Sequence, residues 1–208
     1  MGHMKYFSFL LVAMLFFFQG VEGQPHLKEI TYGVKNAPIT LIEYSSFTCG
    51  VCSVFMNSTL KDLKREFIDT GKLFFVSRDF PMNGVDFKAN LIVQASPDPA
   101  GLHAAIFENQ ALWFDKKEPL KEIMKIAMGL GMTQKQINQA LGNTAMQKLI
   151  TKMRREAEEK YTIDGLPVFI IGSKVITGLI SMKKLRIVLN QALAHVASGK
   201  PLETFGKK

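Results

Sequence analysis

The chain has 208 residues, 47% apolar and 21% charged, with 26 Lys+Arg against 18 Asp+Glu and a formal net charge of +8. That length and apolar content suit one domain with a buried core and room for an insertion. The 16 Phe, 16 Gly and 8 Pro exclude disordered, collagen-like and low-complexity classes, and a cysteine count of 2 excludes a disulfide-rich scaffold.

Residues 1–23 read as a secretory signal peptide. Lys5 precedes an apolar run from Tyr6 to Phe18, and Val21 and Gly23 supply small residues for cleavage near Gly23-Gln24. The run is shorter than the about 20 residues a membrane span needs, which weighs against an uncleaved anchor. No other stretch is long and apolar enough to cross a bilayer, so the expected product is exported and soluble. Export places Cys49 and Cys52 where disulfides form and persist.

Ile39 to Tyr44 reads as a strand after the punctuation of Asn36-Ala37-Pro38. Beyond Ser45-Ser46-Phe47-Thr48 the period becomes helical, with Cys52, Met56, Leu60, Leu63 and Phe67 on one face and Gly71 at the C-terminal cap. This places Cys49 in the first turn of a helix and Cys52 one turn further in. Unpaired N–H groups and the helix dipole favour a thiolate there, which makes Cys49 the nucleophile and Cys52 its resolving partner. A purely structural bridge is the weaker reading, because so short a loop constrains the unfolded chain little. Zinc is weaker still, since a structural site wants four ligands and no second pair stands near.

Leu73 to Val76 reads as the next strand. Helical patterns follow at Val85–Val93 and Leu102–Trp113, separated by Ser96-Pro-Asp-Pro-Ala-Gly101. Leu120, Ile123, Met124 and Ala127 form a stripe ending at Gly129-Leu-Gly131. Thr133 with Gln136 resembles a capping box, and Thr144 with Gln147 repeats it before Met146, Leu149, Ile150, Met153 and Ala157. Strands Val168–Ile171 and Lys174–Thr177 flank a turn at Gly172-Ser173. A closing helix starts at Ser181, faces Leu185, Val188, Leu189, Ala192 and Val196 inward, and ends by Gly199 and Pro201.

Phe47-Thr-Cys49-Gly-Val-Cys52, Arg78-Asp79-Phe80-Pro81 and Gly165-Leu166-Pro167-Val-Phe169, in this order, resemble the DsbA-like family of thiol:disulfide oxidoreductases. The resemblance implies an α/β fold, a thioredoxin fold interrupted by an α-helical insertion. Its N-terminal part would span 24–84, the insertion 85–160 and the C-terminal part 161–208. It implies a cis bond before Pro167 that sets Leu166 beside the disulfide to pair with an extended substrate segment, with Gly50 and Val51 on the same surface. The alternative for Pro167 is a plain trans turn residue. Glu43 lies in an apolar strand six positions before Cys49, where ionising a buried carboxylate costs several kcal/mol, on the order of typical buried charges. The resemblance gives such an acid the role of exchanging a proton with the Cys52 thiol; an edge-strand Glu facing water is the alternative. Val51 stands where the best-known oxidases of the family place a histidine, which removes one source of thiolate stabilisation.

The expected function is disulfide donation to cysteine-containing exported proteins in the periplasm, with reoxidation by a quinone-linked membrane partner. A monomer is expected, with no cofactor, no metal and no nucleic acid. An isomerase or reductase is a competing reading, although 24–39 leaves little room for a dimerising segment; a redox-silent, chaperone-like binding protein is another. The i,i+4 pairs Arg154–Glu158, Arg155–Glu159 and Glu156–Lys160 read as a solvated helix face. Lys183, Lys184 and Arg186 lack the interleaved aromatics of a nucleic-acid groove. His103 reads as a packed residue and Trp113 as a core or surface-groove aromatic, neither with a role.

Overall fold

The computed structural model describes residues 26–207, so the expected leader at 1–23 lies outside the described residues. One sheet has the order β1-β3-β2-β4-β5, formed by β1 (Ile30–Tyr32), β2 (Ile39–Ser45), β3 (Leu73–Asp79), β4 (Val168–Ile171) and β5 (Lys174–Thr177). β2 and β3 are parallel, with Glu43 opposite Ser77 and Ser45 opposite Asp79, and every other pairing is antiparallel. A parallel pair needs a crossover, and the helix α1 at residues 50–68 supplies it. Of the five strands only β1 has no counterpart in the sequence pattern.

Alternation along β2 sends Ile39, Leu41, Glu43 and Ser45 to one face of the sheet. There they meet α1, the closing helix and the inserted helices in a core that includes Phe47, Phe55, Phe75, Phe107, Trp113 and Phe169. Burying one such aromatic fully stabilises by about 1.5–3 kcal/mol. The opposite face carries Ile42, Tyr44, Val168 and Ile170 against Phe80, Ala157, Tyr161 and Ile163.

α1 begins one residue later than the pattern suggests. Cys49 is its N-cap, extended at φ −89° and ψ 110°, and not a first-turn residue. The expected stripe of Cys52, Met56, Leu60, Leu63 and Phe67 is buried, and Phe55 and Ile68 join it. Two widened turns, Phe55–Thr59 and Lys64–Ile68, make room for the extra residues by slowing the helix's rotation. Gly71 follows at φ +72°, the left-handed conformation that glycine adopts without steric cost.

Six helices fill the interval between β3 and β4: α2 (Gly84–Ala95), α3 (Pro99–Glu108), α4 (Gln110–Trp113), α5 (Pro119–Gly129), α6 (Gln134–Leu141) and α7 (Thr144–Lys160). The single helix expected at Leu102–Trp113 starts earlier, at Pro99, and divides at Asn109, whose side chain donates to the Ala105 carbonyl. The Thr133–Gln136 capping box is present. The second box is not: Asn143 caps α7 by accepting the Met146 N–H, and Gln147 donates to the Leu141 carbonyl. Asn is at least as good a cap as Thr, and it stands one residue earlier.

On α7, Arg154–Glu158 and Arg155–Glu159 pair at 3.0 and 3.7 Å, whereas Glu156 meets Lys152 at 3.7 Å and not Lys160. Arg154 also lies over the Phe80 ring, 5.1 Å from its centroid, so that part of the helix is not a purely solvated face. The closing helix α8 (Met182–Ala197) starts at its Ser181 cap and buries Leu185, Val188, Leu189 and Ala192, with Val196 half-buried. No helix among the described residues is long and apolar enough to cross a membrane.

Candidate active site

Cys49 and Cys52 form a disulfide at the N-terminus of α1. Cys52 is fully buried and Cys49 half-buried, while Gly50 and Val51 between them are exposed, so Cys49 presents the accessible sulfur. The Cys52 backbone N–H donates to Cys49 Sγ at 3.1 Å. The Leu166–Pro167 peptide bond is cis, and the Leu166 carbonyl oxygen lies 3.9 Å from Cys49 Sγ. The structure therefore brings together Cys49, Cys52 and Leu166, with Gly50 and Val51 in the first turn of α1 and Pro167 buried just before β4.

The segment entering the first cysteine is held by two residues of the inserted helices that carry no motif. Buried Asp86 on α2 accepts hydrogen bonds from Ser46 Oγ at 2.6 Å and from Thr48 N, Thr48 Oγ1 and Met82 N at 2.9 Å each. Gln110 on α4 donates through Nε2 to the Phe47 carbonyl at 2.7 Å and to the Cys49 carbonyl at 3.3 Å. In the sequence Asp86 is only an acid in the first turn of a helix, which the helix dipole already explains.

Asp86→Ala strips four donors of their acceptor. It is expected to cost about 3 kcal/mol, since each buried unpaired group costs about 1–3 kcal/mol and some of these find water. Urea unfolding measures the loss; a variant as stable as the wild type would show that other contacts hold residues 46–48.

Glu43 is fully buried in a central strand, which removes the edge-strand alternative. Loss of solvent pushes its pKa up to about 8; the Ser77 hydroxyl, donating to Oε2 at 3.1 Å, opposes the rise, and the negative charge of Asp79 adds to it. Burial, then the Glu43 charge, push Tyr32 on β1 up to about 12. Asp79 Oδ1 lies 3.2 Å from Nε2 of His103, a fully buried residue of α3. The His103 ring packs on Phe47 and Phe107, centroids 5.2 and 5.1 Å apart. His103 is thus packed, as expected, but on a carboxylate as well as on aromatics.

Two clefts adjoin these residues. One of about 330 Å³ opens beside Thr48 and is lined by Asn83, Val85, Trp113, Phe114 and Pro119. Another of about 890 Å³, at the sheet edge, includes Tyr44, Ser77, Arg78 and Asp79 in its wall.

The sequence model of the family described as thioredoxin matches residues 26–191. A Rickettsia conorii protein whose name suggests a protein-disulfide oxidoreductase is 23% identical over 168 residues, 79% of this chain and 60% of that protein. Disulfide bond formation protein D of Bacillus subtilis is 31% identical over 97 residues, 43% of this chain and 44% of its own. The chain thus spans about 60% or less of the length of these relatives. Among solved structures, Wolbachia pipientis alpha-DsbA1 superposes with a TM-score of 0.76 at 24% identity, over 84% of this chain and 96% of that one. Oxidised BdbD from Bacillus subtilis does so at 0.70 and 20% identity, over 83% and 97%. A family match across most of the described chain, and superpositions that include the helices between β3 and β4, make this chain a member of the thioredoxin family with the helix-inserted fold of the DsbA proteins.

Proposed function

We propose that the protein is an exported thiol:disulfide oxidoreductase of the DsbA type, which donates the Cys49–Cys52 disulfide to cysteine-containing substrate proteins in the periplasm. The observation that carries this reading is the half-buried Cys49 sulfur, which caps a helix, accepts the Cys52 N–H and lies against the cis-proline loop. The names of the Rickettsia and Bacillus relatives point the same way.

In the reaction a substrate thiolate attacks Cys49 Sγ, the Cys49–Cys52 bond breaks, and Cys52 leaves as a thiolate within a mixed-disulfide complex. Glu43, protonated near neutral pH, supplies the proton that Cys52 takes up. A second substrate thiolate then attacks the substrate sulfur of the mixed disulfide, and Cys49 leaves as a thiolate steadied by the helix terminus. The substrate loses two electrons and two protons in total, and the cysteine pair gains them. Leu166 pairs with the extended substrate segment through its backbone, Gly50 and Val51 border it, and the cleft beside Thr48 offers it an apolar wall. The monomer completes its cycle by passing electrons to a quinone-linked membrane partner.

Equilibration of the purified protein with glutathione buffers tests the direction of flow. The easily formed Cys49 thiolate favours the reduced pair, so the expected potential is more oxidising than thioredoxin's, about −270 mV. A value at or below that figure would replace the donor reading with a reductase.

A further inference from the structure

The register of β2 and β3 places two buried carboxyl groups diagonally on one sheet face: Glu43 opposite Ser77, and Asp79 two residues further along beside Ser45. Neighbouring carboxylates with little solvent cannot both ionise cheaply, and the donors each one meets decide which carries the charge. Their surroundings differ. Asp79 faces the His103 ring nitrogen at 3.2 Å, whereas Glu43 receives one serine hydroxyl and its Oε1 has no partner among the described residues.

His103 Nδ1 also lacks a partner among the described residues. An N–H there would be a buried donor without an acceptor, so the ring hydrogen belongs on Nε2, pointing at Asp79. Phe47 and Phe107 hold the ring in that orientation, and Phe47 lies two residues before Cys49.

We propose that His103 and Asp79 are a positioning pair for Glu43: His103 fixes the negative charge on Asp79, and that charge adds to burial in keeping the proton on Glu43 until Cys52 leaves. This rests on the reading of Glu43 as the proton source for Cys52. Asp79 is the closest match to a controlling charge among the groups around Glu43. On β1 Tyr32 stays neutral, with its hydroxyl raised well above neutrality, and β4 places Phe169 opposite Glu43. On α1 Cys52 is tied in the disulfide, on α2 Asp86 is engaged with residues 46, 48 and 82, and on α3 His103 faces Asp79. Asp98 and Glu108 act on Tyr32 and not on Glu43.

The test is a carbon-13 NMR titration of the Glu43 carboxyl in the oxidised protein, where the cysteines do not titrate, with Glu43→Gln to assign the signal. Asp79→Asn keeps the shape and removes the charge, and the Glu43 inflection is expected to fall by about one pH unit, the size a single adjacent charge produces. His103→Leu leaves Asp79 without its donor and should lower the inflection likewise. His103→Gln retains an N–H for Asp79 and should restore the wild-type inflection, which a merely structural role for the ring would not do. Circular dichroism identifies the folded variants. An inflection unmoved by Asp79→Asn, or one that falls equally in His103→Gln and His103→Leu, overturns the pairing. The proton-source reading fails separately: it is overturned if dithiothreitol reduces Glu43→Gln and wild type at equal rates across pH 6–9 (roughly one unit or more either side of the raised value).

Discussion

A Cys49→Ser protein is expected to exchange disulfides with a disulfide-bonded test protein only at the uncatalysed background rate, while Cys52→Ser is expected to stop halfway with its substrate held covalently. The asymmetry follows from exposure. Cys49 carries the half-buried sulfur and Cys52 the fully buried one, so an incoming thiolate reaches only the first. With Cys49 gone, Cys52 has no path to a substrate. With Cys52 gone, the Cys49 thiolate still attacks the substrate's disulfide, forming a mixed disulfide and releasing the other substrate sulfur as a thiolate, but the resolving thiol that would release the complex from the protein side is missing. Non-reducing electrophoresis and intact-mass measurement distinguish the outcomes: a covalent complex with Cys52→Ser and none with Cys49→Ser. Equal trapping by both variants would mean that Cys52 is reachable, and the reading of Cys49 as nucleophile would fall.

Glu43→Gln is expected to stabilise the oxidised protein, increasingly so as pH rises. The sign follows from proton linkage. The folded-state pKa, about 8, lies above the ordinary value of 4.5, so between those limits the folded protein holds a proton that the unfolded chain has released. Stability contributed by this group is therefore complete below about pH 4.5 and is lost as pH rises to about 8. At about 1.4 kcal/mol per unit, the loss reaches roughly 5 kcal/mol at the upper limit. The amide does not ionise, so the variant and the wild type should unfold alike near pH 4 and diverge by several kcal/mol near pH 8. Urea titrations at a series of pH values measure the gap; parallel curves would show that Glu43 ionises in the fold as easily as in water. An acid retained against so large a cost fits a chemical task better than a structural one.

Much of this site is legible in the residue order, and the rest is hidden for definite reasons. Cys49 and Cys52 stand out because a strand pattern gives way to a helical one between Tyr44 and Cys52, which locates both sulfurs at a helix terminus. Glu43 is conspicuous as the one charge in its strand. The Thr133–Gln136 box and the Ser181 cap are local devices that need no knowledge of the fold. β1 is not of that kind: Ile30 alone is fully buried in a three-residue strand whose existence depends on the open edge of β3. The break at Asn109 and the widened turns of α1 depend on what packs against them. Asp79 and His103 stand 24 positions apart and meet only because the inserted helices fold back over the sheet. Asp86 has the look of ordinary helix-start chemistry, yet its four donors all come from segments outside its own helix.

The anchoring of residues 46–49 by Asp86 and Gln110 has a consequence for anyone wishing to shrink or transplant this centre. The two anchors arrive from α2 and α4, so the polypeptide between β3 and β4 is built into the redox apparatus and is no detachable ornament. Moving the Cys-Gly-Val-Cys tetrapeptide onto a bare scaffold would carry over its letters and leave behind the scaffolding that aims them.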